Sequence, residues 1–191
     1  MKHVNFYKET FQNIDNEKYN LQKGLFENCH FINCDLTGQD MGQTQFIDCI
    51  FNNCNLSMVN LRDTSIQNTK YENCKLLGIR FESCNKFGLS FSFDNCILNH
   101  SSFYSLKIKK TKFQNCELQE VDFTETDLTG AIFDNCNLLD ATFDNTIIEN
   151  TDFTTSENFS INLNINKHKK ARFSSRQLSG LLKQFDIIIE N

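Results

Sequence analysis

The sequence predicts an all-β solenoid, a chain wound into stacked square coils, and three observations predict it. Large apolar residues recur every five positions over most of the chain. All nine cysteines fall in one slot of that period, and none of the 191 residues is a proline. A period of five matches neither the 3.6 residues of a helical turn nor the two of a strand, so each repeat has to turn a corner. Missing proline fits a chain whose backbone N–H groups are needed for ladders between coils.

The first 25 residues read as an irregular N-terminal turn or cap: Phe6 and Phe11 keep the register, but Asn16 and Tyr19 do not. Residues 26–153 form the regular solenoid. Its first series is Phe26, Phe31, Leu36, Met41, Phe46, Phe51, Leu56, Leu61, Ile66, Tyr71, Leu76 and Phe81. The series resumes, displaced by a two-residue insertion, as Phe93, Leu98, Phe103, Ile108, Phe113, Leu118, Phe123, Leu128, Phe133, Leu138, Phe143, Ile148 and Phe153. Cys34, Cys54, Cys74, Cys96, Cys116 and Cys136 are spaced by 20 residues, or by 22 across the insertion, so four repeats make one coil. At roughly 4.8 Å per stacked layer, seven to eight coils give a rod of about 35 Å. Residues 154–173 read as a decayed last coil, with Leu163 and Phe173 in register and Asn158 and His168 breaking it. In 174–191 the period changes. Ser175 is placed to cap a helix carrying Leu178, Leu181, Leu182 and Phe185 at helical spacing, and Asp186 to Glu190, with Ile187 and Ile188, reads as a short strand. This end either plugs the last coil or joins two copies into a homodimer.

Composition excludes several classes of function. The chain is 39% hydrophobic with 19 Phe, too apolar for disorder, and has no run near the ~20 residues of a membrane span. Its start, MKHVNFYKETF, has no apolar stretch of a secretion signal, so a cytoplasmic location with reduced thiols is expected. The closest cysteine spacing, C-x4-C, places neighbours on adjacent faces, so the thiols read as core and not as a zinc site. His3, His30, His100 and His168 are scattered, and no nucleophile elbow, phosphate loop or dinucleotide fingerprint occurs. A solid rod offers no dry pocket for acid–base work. No enzymatic activity, cofactor, metal or small-molecule substrate is expected.

Charge is more informative. Residues 1–112 hold 13 Lys+Arg and 11 Asp+Glu, whereas 113–153 hold no Lys or Arg and ten acids. These are Glu117, Glu120, Asp122, Glu125, Asp127, Asp134, Asp140, Asp144, Glu149 and Asp152, all in slots read as outward. Glu120 and Asp140 stand one coil apart, and stacked like charges oppose folding. A solubilising surface explains excess acid but not the exclusion of every base. The ten acids therefore mark a candidate face for a protein partner with a basic groove, such as one that holds duplex DNA. Lys107, Lys109, Lys110 and Lys112 read as a solvated face, and direct nucleic-acid binding is not expected.

Segments such as Cys116-Glu117-Leu118-Gln119-Glu120, Val121-Asp122-Phe123-Thr124-Glu125 and Ala131-Ile132-Phe133-Asp134-Asn135 resemble the A(D/N)LXX motif of pentapeptide-repeat proteins. The resemblance spans about 26 to 173 and implies a right-handed quadrilateral β-helix. The terminal helix and apolar strand resemble the C-terminal dimerisation module of Qnr quinolone-resistance proteins. In that group the dimeric rod is a DNA mimic that binds DNA gyrase or topoisomerase IV. The resemblance thus implies a type II topoisomerase as partner, while Asn85 to Ser92 supply only a bulge where Gram-negative Qnr proteins carry projecting loops. The alternative is a generic interaction scaffold with an unknown partner.

Overall fold

In the computed structural model, which describes residues 4–18 and 21–188, the chain is a parallel β-solenoid of about eight coils. Nine short strands stack along one face: Thr10–Gln12, His30–Ile32, Ile50–Asn52, Thr69–Glu72, Phe91–Asp94, Lys112–Gln114, Ile132–Asp134, Asp152–Phe153 and Arg172–Phe173. We call this face one. Face two carries Leu36 and its successors, and face three carries Met41 and its successors. Face four holds the four-stranded sheet Val4–Tyr7, Gly24–Glu27, Gln45–Ile47 and Ser65–Gln67. Partners pair in parallel 20 residues apart, as in Phe31 with Phe51 and Phe113 with Phe133.

The five-residue register holds throughout, for every large residue of both series is buried. On face one the rings form a stack, from Phe11 on Phe31 (4.9 Å) to Phe153 on Phe173 (5.3 Å). All nine cysteines are buried and unpaired. Their slot lies beside the axis and closes onto the preceding coil. The Cys54 thiol donates to the Phe31 carbonyl at 3.4 Å, the Thr126 hydroxyl to Phe103 at 2.7 Å and the Asn166 amide to Phe143 at 2.8 Å. Where the slot holds Cys, Thr or Ser it supplies such a donor, and elsewhere it is filled by apolar side chains such as Val59, Ile79, Leu106, Val121 and Ala131.

The corner itself explains a second regularity. Except after Phe81 and Phe153, the residue two after each large one of the two series turns the chain in the left-handed region, which Asn, Asp and Gly adopt most readily. At the corner between faces one and two this residue is Asn13, Asn33, Asn53, Asn73, Asn95, Asn115 and Asn135, all with φ between 52° and 54°. Their amides bond from coil to coil, Asn53 to Asn33 and Asn95 to Asn73 at 2.7 Å.

Three regions differ from the sequence reading. Val4–Tyr7 and Thr10–Gln12 already pair in register with the next coil, so the irregular N-terminal stretch is much shorter than 1–25; Tyr19 lies outside the described residues. The insertion is absorbed on face four, where Asn85 still bonds Thr64 and Ser90 bonds Ile66, leaving Phe87 82% exposed at the tip of the bulge. Face one runs on undisturbed, Tyr71 pairing with Phe93.

In the last coil Phe159 and Ile161 fill the interior in place of Asn158, and Leu163 is only half-buried. The expected terminal helix is two 3-10 segments, Ser175–Leu181 and Lys183–Phe185, capped by Ser174 and not Ser175, because the Ser174 hydroxyl accepts from the Arg176 amide. Gly180 lies so close to Phe159 that a Cβ there would meet the Phe159 carbonyl oxygen at 2.2 Å. Residues 186–188 form no strand, and 189–190 lie outside the described residues. No helix among the described residues is long and apolar enough to cross a membrane.

Candidate functional site

The coils place the ten acids around all four faces, with one concentration. Glu120 and Asp140 share the corner between faces two and three, Asp122 and Asp144 lie on face three, and Glu125 takes the corner beyond it. Glu120, Glu125 and Asp140 occupy left-handed corner positions, with φ of 55°, 57° and 56°. Acids at these positions forgo the easier Asn or Gly. Of the five, Asp122 is half-buried and the others are exposed. The Asp122 carboxylate accepts from the Thr124 amide at 2.8 Å, and Glu120 stands 3.2 Å from the His100 ring.

The remaining acids are dispersed. Glu117 on face two accepts from the Asn137 amide at 2.9 Å, Asp134 on face one accepts from the Thr155 hydroxyl at 2.8 Å, and Glu149 on face four is half-buried. Asp127 departs from the expected outward slot: it is only 8% exposed. Burial works to raise its pKa, but hydrogen bonds from the Thr129 hydroxyl and amide, and from Lys109 at 3.1 Å, outweigh it and hold the carboxyl below its ordinary range. Asp152 behaves likewise, burial being outweighed by the Thr154 hydroxyl and amide and by Arg172 at 2.9 Å. These two carboxylates are local ties between coils, and their charge is largely spent.

Two features of face three were not read from the sequence. Tyr104, 42% exposed, sits one coil before Glu125, whose charge and hydrogen bond, together with the charge of Asp122, push the phenol above its usual range. Its slot is an ordinary outward one, so nothing in the period singled it out. At the other end a cleft of about 490 Å³ lies between Asp140, Asp144, Asn162, Ile165 and Lys183, where the distorted last coil leaves face three incomplete. Among the described residues no cluster of three or more His, Cys, Asp or Glu is arranged to hold a metal ion.

At the C-terminal end Leu181 is buried and Leu182 half-buried, whereas Leu178, Phe185, Ile187 and Ile188 are 45, 54, 55 and 89% exposed. The stripe is therefore divided: Leu181 closes the last coil with Leu182 beside it, while Leu178, Phe185, Ile187 and Ile188 face outward.

The sequence matches the family model of the pentapeptide repeat region over residues 24–92 and 79–153. The chain belongs to the pentapeptide-repeat family. No curated protein sequence matches this pentapeptide-repeat chain. Among solved structures, a trypsin-treated form of QnrB1, a plasmid-mediated fluoroquinolone resistance protein, matches it over 100% of both chains with a TM-score of 0.63 and 19% identity. Full-length QnrB1 matches 96% of this pentapeptide-repeat chain and 100% of its own, with a TM-score of 0.50 and 19% identity. At that identity the likeness is one of fold alone.

Proposed function

We propose that this protein is a non-enzymatic, cytoplasmic protein-binding rod that mimics DNA toward a type II topoisomerase, gyrase or topoisomerase IV, through face three of its acidic coils. The observation that carries the reading is the gathering of Glu120, Asp122, Glu125, Asp140 and Asp144 on one face and its two corners, in coils that contain no Lys or Arg from 113 to 153. A basic groove built for a polyanion attracts such a face over several ångströms, and salt weakens that attraction. The exposed C-terminal residues Leu178, Phe185, Ile187 and Ile188 serve as a homodimer contact, which sets two acidic faces end to end. The shared QnrB1 fold supports a partner of this class. No cofactor or small-molecule substrate enters the proposal.

The test is gyrase supercoiling in the presence of the purified protein. Wild type inhibits at low salt and progressively less as salt rises. Replacement of Glu120, Glu125, Asp140 and Asp144 by Lys abolishes inhibition without unfolding the rod, since Lys110 and Lys170 already occupy the same left-handed corner position elsewhere. Asp122 is left in place because it holds the Thr124 amide. A wild-type protein that neither inhibits supercoiling nor competes with DNA for gyrase or topoisomerase IV would overturn the mimic and leave a scaffold with another partner.

A further inference from the structure

The lysines of 107–112 acquire a counterpart once the coils are stacked. Lys107-Ile108-Lys109-Lys110-Thr111-Lys112 and Lys167-His168-Lys169-Lys170-Ala171-Arg172 have the same charge pattern, 60 residues apart. The bridges Lys107 to Asp127, Asp127 to Ile147 and Ile147 to Lys167 put them in one column, three coils apart. Each hexamer runs across face four and around the corner onto face one. All eight cations are exposed.

Two parallel bands of positive charge thus cross the rod, about 14 Å apart at ~4.8 Å per coil. Between them lie coils with no Lys or Arg. Each band spends one cation on a carboxylate of the intervening coils, Lys109 on Asp127 and Arg172 on Asp152. Lys107, Lys110, Lys112, Lys167, Lys169 and Lys170 make no ion pair among the described residues.

We infer that this face binds the backbone of a duplex nucleic acid, with one band on each of the two phosphate rows that border a groove. A B-form minor groove is about 6 Å across between its walls, which places the phosphate rows roughly 12 Å apart, close to the band separation. The strip between the bands, with Glu149 and the two neutralised aspartates, then spans the groove, where no phosphate lies. A flat anionic membrane would press Glu149 against like charge, so the banding favours a grooved polyanion. Contacts of this kind carry no base readout, and binding is independent of sequence. The acidic face three is not involved, so the two functions stand or fall separately.

The probe is a short fluorescein-labelled DNA duplex, read by anisotropy against the full-length protein over a range of salt. Six unpaired lysines predict a slope of log K against log salt near −5, at about 0.9 per phosphate neutralised. Replacing Lys107, Lys110 and Lys112 by Gln, or Lys167, Lys169 and Lys170 by Gln, halves the slope and weakens binding by about tenfold or more at ~50 mM salt. Lys-to-Arg replacement at the same six positions keeps both, and thermal melts of all variants match wild type. The inference is overturned if the duplex does not bind at low salt, if a single strand binds as well as the duplex, if both Gln variants bind as wild type, or if phosphatidylserine vesicles capture the protein while the duplex does not.

Discussion

The ring of Phe123 lies 5.1 Å from that of Phe143 one coil further on, at an interplanar angle of 20°, and both also meet Phe133 edge-on. Each ring therefore supports two coils at once. Phe123→Ala or Phe143→Ala is expected to cost about 3–5 kcal/mol in denaturant melts. Asn145→Ala costs about 1 kcal/mol, because its φ of 52° favours Asn over Ala, while Asn145→Gly is close to neutral. Equal losses for Phe123→Ala and Asn145→Gly would contradict the register.

The buried thiols make the rod sensitive to alkali. Burial pushes Cys49 and Cys84 up to about 12 from an ordinary 9.0. A thiol that stays neutral when folded but ionises when unfolded contributes its stability below pH 9 and loses it as pH rises toward 12. Stability measured by urea titration should fall steadily across that window, and Cys49→Ala with Cys84→Ala should make the fall shallower. The native thiols react slowly with a thiol reagent below pH 9 and rapidly once the chain is unfolded. A flat profile between pH 9 and 12 contradicts this account.

The exposed C-terminal residues define an assembly test. A homodimer is expected at micromolar concentration by light scattering, about 70 Å long at twice the rod length given by layer spacing. Phe185→Lys with Ile188→Lys should give a folded monomer whose melting temperature matches that of wild type diluted until it is monomeric, since both side chains are exposed on the rod. A wild-type monomer would leave this end as a plug alone.

Most of the architecture was legible because axis and slot are enforced in every coil: a polar residue in place of Phe103 or Leu118 would lie at 0% exposure. The details that escaped arise where that constraint relaxes. Phe159 enters the interior one residue late because nothing regular follows the last coil to fix it, and the terminal segment winds as 3-10 helix packed through Gly180. Asp127 reads as outward by slot, but the Thr129 hydroxyl two residues on and Lys109 of the preceding coil draw it in. The acids of face three could be counted in the sequence, but their sharing of a face depends on coil registration. The kinship of the two basic hexamers was equally visible as a pattern, yet without three coils of stacking it had no spatial meaning.

The slot bonds have a direction. Cys29, Cys54, Thr64, Thr126, Thr146, Thr151 and Asn166 all donate to a carbonyl 23 residues earlier, in the coil already laid down. A chain leaving the ribosome therefore meets a finished template each time a new slot emerges, and twenty residues suffice to extend it. Growth can proceed by accretion from the N-terminal end, with no long loop to close and no distant segment to await. The backbone bonds run both ways, Ile50 donating back to Cys29 and Asn33 forward to Asn52, so a truncation leaves only the coil beside the cut with unmet groups.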